Sequence, residues 1–166
     1  MPRNDKKFRV KKEKPEFDQK LLDLARVTRV VKGGRRFRFR ATLVIGNRKG
    51  KVGVGVGKGS DVTDAIRKAF DDGKKNLINV PIHGNTISHD IEYKSGSAKV
   101  LLKPAPEGRG IVAGGAVRAV VDFSGIKDIV SKSFGTSNKL NVARATAEAL
   151  ESLNYSRNKK ERTVKA

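Results

Sequence analysis

Between positions 29 and 58 lie ten basic residues, Arg29, Lys32, Arg35, Arg36, Arg38, Arg40, Arg48, Lys49, Lys51 and Lys58, and no acid. Strand side chains alternate faces. In residues 36–45 that places Arg36, Arg38, Arg40, Thr42 and Val44 on one face and Phe37, Phe39, Ala41, Leu43 and Ile45 on the other. One face is built to pack, and the other is charged. Lys32-Gly33-Gly34-Arg35 reads as a turn whose glycines let the backbone come close to a phosphate while its flanks project cations. Gly46 to Gly50 encloses Asn47-Arg48-Lys49, a second hairpin turn with a basic tip. The chemistry these residues offer is the binding of a polyanion.

Turnover chemistry finds less support. Gly57-Lys58 resembles part of a Walker A loop, but GxxxxGK[ST] fails at Val52 and Gly59, and no GxGxxG frame closes through Gly53, Gly55, Gly57 and Gly59. His83 and His89 stand six apart with no cysteine to complete a zinc set. Asp71 and Asp72 are adjacent, so on a helix they point differently and do not converge on one bond. Glu107 beside Arg109 lacks a nucleophile and base. No active site, metal or cofactor is assigned, and the chain is read as a non-enzyme.

Several elements must position the basic row. Residues 22–31 suggest a strand entering the Lys32 turn. Val52, Val54 and Val56 alternate with Gly53, Gly55 and Gly57, a returning strand with one bare face that another backbone can approach. A helix follows, with Val62, Ala65, Ile66, Ala69, Phe70 and Leu77 in one apolar stripe and Ser60 as its N-cap. Strands with a helix on one face make an α+β layer, with the sheet's other side or its loops left free for a partner. A Pro and Gly segment at residues 79–85 marks a domain boundary. Beyond it, Ile87, His89 and Ile91 alternate, as do Ala98, Val100 and Leu102, giving two strands. A glycine loop at residues 104–115 opens a helix to about residue 121. Residues 126–134 read as a strand, and Ser137 or Asn138 caps a last helix with Val142, Ala145, Thr146, Ala149, Leu150 and Leu153 on one stripe.

The formal net charge of +20 is concentrated. Residues 1–14 carry +5, residues 29–58 carry +10 and residues 156–166 carry +4, so the remaining chain is close to neutral. A basic module flanked by basic tails is the electrostatic footprint of a nucleic-acid partner. The tails, residues 1–15 and 156–166, are expected to be disordered, flanking domains at 16–83 and 84–155. Without cysteine there are no disulfides, and no stretch is apolar enough to span a membrane, so the chain is expected to be soluble and intracellular.

These residues resemble the ribosomal protein S5 family of the small subunit, in its bacterial or organellar form. The matching runs are Val31-Lys32-Gly33-Gly34-Arg35, the Gly46 to Lys58 turn and glycine strand, and Ile78-Asn79-Val80-Pro81-Ile82. Others are Gly96 to Ala105, Glu107 to Ile111 with Ala113-Gly114-Gly115, and Asn141 to Thr146. The resemblance implies an N-terminal domain like a double-stranded-RNA-binding fold and a C-terminal domain of the left-handed βαβ type. It also implies a cytoplasmic place in the small subunit, bound to 16S rRNA and touching proteins S4 and S8. With S3 and S4, members help form the mRNA entry channel and influence decoding accuracy. The Lys32 to Arg36 turn is similar to the family's loop near the spectinomycin site. Gly108, Gly110, Gly114 and Arg118 lie in the region that in the family faces S4, and Arg109 joins the RNA-binding set. Two alternatives are a free-standing double-stranded-RNA-binding factor and, more distantly, a kinase, since Pro106 to Gly115 faintly resembles a phosphate loop.

Overall fold

The computed structural model describes the backbone of residues 16–164 and side chains through residue 153. Over the described residues the fold is α+β, with two four-stranded sheets and three helices. In the first sheet β1 (Asp18–Val31), β2 (Gly34–Gly46), β3 (Lys51–Gly59) and β4 (Leu77–Asn79) lie side by side in sequence order, all antiparallel. Helix α1 (Val62–Lys75) covers one face. Ala41, Leu43 and Ile45 pack toward it as the alternation requires, and β3 presents its glycines to it. A Cβ added at Gly55 would lie 2.8 Å from the Gly73 Cα, and one at Gly57 would meet the Ala65 carbonyl oxygen and the Ala69 amide. The bare face of β3 is thus filled by the chain's own helix backbone. The Val56 amide, on a stretch of β3 beyond its pairing with β4, donates to Asp72 Oδ2 at 2.9 Å. Asp72 is therefore a structural acceptor.

The second sheet has the order β5-β6-β8-β7, from β5 (Ile91–Ser95), β6 (Ala98–Pro104), β7 (Ile111–Val112) and β8 (Ile129–Phe134). β7 and β8 are parallel and joined through α2 (Gly115–Ser124), forming a βαβ unit. Helix α3 (Lys139–Val164) packs on β5 and β6 and against α2. Its stripe Val142, Ala145, Thr146, Ala149, Leu150 and Leu153 is buried as read from the sequence. Asn138 provides the cap, its Oδ1 accepting the Leu140 amide at 3.1 Å.

The other face of the first sheet is not left open along its length. Val44, Val52 and Val54 join one continuous core with α2, α3 and the second sheet. The layers run α1, first sheet, α2 with α3, second sheet. The expectation of a sheet side free for a partner is corrected for that half of the sheet. Each of those valines contributes roughly 1.5–3 kcal/mol of burial that depends on both sheets being present.

Other differences are local. The N-cap of α1 is Asp61, one residue beyond Ser60, and Leu77 has passed from helix into β4. Ile87 is a buried loop residue, and the strand expected around it begins at Ile91. The strand expected from residue 126 begins at Ile129, because Gly125, in the left-handed region at φ 99, closes α2 and a loop intervenes. β7 sits within the glycine loop. The α3 backbone continues across residues 156–164, read from sequence as disordered tail, and the expected tail at residues 1–15 lies outside the described residues.

Candidate nucleic-acid interface

α1 and β2 have nearly equal residue counts and unequal reach. At about 1.5 Å per helical residue and about 3.3 Å per strand residue, α1 spans roughly 21 Å and β2 roughly 43 Å. The β1–β2 ribbon must therefore outrun the helix. Residues 28–38 are exposed on both faces, and Phe37 keeps 49% of its surface open. Lys32 and Gly33 turn the ribbon at its far end, with Val31 paired to Gly34. Gly34 adopts φ 144, in the region that favours glycine, and open space surrounds both glycines.

Register determines which cations share a face. Arg29 stands opposite Arg36, Arg38 opposite Val27, and Arg40 lies between Ala25 and Lys58. Arg29, Arg36, Arg38, Arg40 and Lys58 therefore form one continuous cationic face, which further along the same strands becomes Thr42, Val44 and Val54 and passes under the second domain. Directly opposed like charges destabilise a strand pair. Among the described residues no acid pairs with any of the five, and Arg40 Nε is buried without a hydrogen-bond partner. A face of this kind is complementary to a phosphate backbone.

The remaining candidates are distributed elsewhere. Arg48, Lys49 and Lys51 sit at the opposite end of β2, roughly 40 Å from the ribbon tip. That turn is not simply a basic tip. The Arg48 amide donates to the Phe123 carbonyl at 3.0 Å and the Gly50 amide to the Ser124 carbonyl at 2.8 Å, so the turn docks on the end of α2. The Arg48 guanidinium lies 3.8 Å from Asp18 and 5.6 Å from the Phe123 ring centroid. Arg109 is exposed in the β6–β7 loop of the second domain. Flanking it, Gly108 and Gly110 hold φ 84 and 76, and the Gly110 amide donates to Asp128 Oδ1 at 2.8 Å. Gly114 is the N-cap of α2, and Arg118, one turn on, is exposed and donates its amide to the Gly114 carbonyl at 2.7 Å. Gly114 also lines a cavity of about 410 Å³ between β1 and the starts of α2 and α3, with Lys20, Ser133 and Lys139 among its walls.

Two residues on the ribbon were missed by sequence reasoning. Arg26 places its guanidinium 4.6 Å from the Phe37 ring centroid, and Val30 is 74% exposed near the tip. The alternation assigned Phe37 to the packing face, and only the lengths of α1 and β2 show that the packing ends before it.

Together, the fold and this face define a two-domain α+β protein with an exposed cationic β-ribbon. Family models for the ribosomal protein S5 N-terminal domain and C-terminal domain match residues 17–81 and 93–163. Small ribosomal subunit protein uS5 of Campylobacter jejuni, from strains 81-176 and RM1221 alike, is 56% identical over 138 residues, covering 83% of this chain and 94% of the relative. The chain belongs to the ribosomal protein S5 family, a family of ribosome constituents and not of enzymes.

Proposed function

We propose that this protein is a structural constituent of the small ribosomal subunit in the cytoplasm. In this reading it binds 16S rRNA through the β1–β2 ribbon, supports assembly and decoding accuracy, and helps form the mRNA entry channel. The observation that carries the RNA contact is the face of Arg29, Arg36, Arg38, Arg40 and Lys58, left without acidic partners among the described residues. Lys32 and the turn glycines Gly33 and Gly34 carry the basic surface to the tip, where Arg35 adds a cation on the ribbon's other face. Arg48, Lys49, Lys51 and Arg109 add contacts at separate points. Residues 16–83 form the RNA-binding-like domain, and residues 84–155 turn the region of Gly108, Gly110, Gly114 and Arg118 toward protein S4, with S8 and S3 as neighbours.

The role asks for placement and charge neutralisation, with no turnover. With about six to ten cations each touching a phosphate, affinity of the isolated protein for RNA falls by several powers of ten between low and moderate salt. Within the subunit, protein contacts and shape blunt that dependence. The test is to sediment a cell lysate through a sucrose gradient, wash the small-subunit fraction with moderate salt, and quantify the protein against known subunit proteins. An equimolar, salt-resistant ratio is expected. A substoichiometric protein stripped by the wash overturns the reading in favour of an accessory RNA-binding factor.

A further inference from the structure

The ribbon has a second face with different chemistry. Register places Val30 opposite Arg35, Thr28 opposite Phe37 and Arg26 opposite Phe39 on the side away from the row of Arg29, Arg36 and Arg38. Phe39 still packs at the edge of the α1 core, whereas Phe37 lies beyond it, half open to solvent. The Arg26 guanidinium covers part of the Phe37 ring at 4.6 Å from its centroid. An exposed aromatic on a projecting ribbon, already stacked with a planar cation, is an unfinished stack. Residues 24–60 contain no acid, so nothing along this ribbon face attracts a basic partner.

We infer that Phe37 with Arg26 forms a stacking platform for an unpaired RNA base, whose strand lays its phosphates on the opposite, arginine-lined face. This rests on the RNA-binding reading above and changes its content. Bases of a duplex are already stacked inside it and offer no free face, whereas an unpaired base can lie on an aromatic ring or a guanidinium plane. Every base has a π-face, so the platform holds an unpaired nucleotide with little preference for which one. Charge favours RNA over an apolar protein surface here, because Arg26 and Arg35 border the ring and, among the described residues, no acid pairs with either.

The test compares full-length protein binding to a short single-stranded oligoadenylate and to a fully paired RNA duplex of equal length. Phe37→Ala is expected to weaken oligoadenylate binding about tenfold and duplex binding less than about twofold. The chain has no tryptophan, so Phe37→Trp introduces a single reporter. Its emission is expected to be quenched by oligoadenylate and unchanged by an abasic strand of the same length. Phe37→Leu keeps an apolar side chain without the ring and is expected to bind as poorly as Phe37→Ala; circular dichroism checks that each variant is folded. Equal losses on both probes, no loss on either, or full affinity in Phe37→Leu overturns the platform, the last pointing to an apolar protein surface as occupant. If oligoadenylate and duplex binding remain salt-dependent and fall in Arg29→Ala/Arg36→Ala while Phe37 is indifferent, only the platform fails. If neither probe shows salt-dependent binding, the RNA reading fails with it.

Discussion

Gly33 and Gly55 are the same residue put to opposite uses. Around Gly33 an added Cβ meets nothing within 4 Å, so the site accepts a side chain, whereas at Gly55 the Ala69 carbonyl and the Gly73 backbone already occupy the space. Gly33→Ala is expected to leave stability within about 0.5 kcal/mol of the parent, and Gly55→Ala to cost about 3 kcal/mol or more by forcing α1 off the sheet. Urea midpoints of the two variants measure both; equal midpoints would show that α1 can shift freely. A charge is informative at Asp61, whose carboxyl is held below its ordinary value first by the Thr63 hydroxyl and then by the Val62 amide. Its contribution is present above the unfolded-state pKa and is lost as pH falls through the depressed folded value. Asp61→Asn should therefore melt below the parent at neutral pH, and the gap should close on acidification below about pH 4. Thermal melts across pH check this, and a gap that widens in acid would assign the difference to something other than the carboxylate.

At the level of elements, the ribbon trades its own stability for a charged surface. Arg29 and Arg36 face each other across the strand pair without a described acid nearby. Replacing both with alanine removes a repulsion of roughly 0.2–1 kcal/mol, so the fold should be unchanged or slightly more stable. RNA binding should weaken across sequences, with the slope of log affinity against log salt falling by about one for each phosphate no longer neutralised. Filter binding over a salt series beside a denaturation curve separates the two effects, and an unchanged slope would remove these arginines from the interface. Much of this element was legible in the sequence. Period-two alternation places Arg36, Arg38 and Arg40 on one face, and the glycine pair marks the turn. The bare face of β3 was legible as a place for close backbone approach, but one sequence window does not say whose backbone arrives, and it is that of α1. The exposure of Phe37 was hidden because alternation gives the direction of a side chain and not the extent of the layer beneath it.

On the scale of the molecule, the two halves differ in charge and share a core, and only the first of these could be read from composition. The signal of the second is small: along one face of β2 the residues change from Arg36, Arg38 and Arg40 to Thr42 and Val44, which is where the second domain begins to cover the sheet. Phe123 holds that junction. It is 5% exposed, its carbonyl accepts the Arg48 amide at 3.0 Å, and its ring lies 5.6 Å from the Arg48 guanidinium, while its backbone fills the space beside Gly46. Phe123→Ala leaves the backbone bonds and deletes the ring, and large-to-small changes of this kind cost about 3–5 kcal/mol. Because Val44, Val52 and Val54 are uncovered when α2 leaves, neither half should persist alone, and the substitution should lower one shared melting transition. Scanning calorimetry of parent and variant tests this: a single peak displaced to lower temperature supports a shared core, and a peak that splits in the parent would mean that each sheet with its helix is stable without the other. A shared transition also bears on the ribbon, since the rigidity that aims its arginines comes from a sheet clamped on both faces at its base.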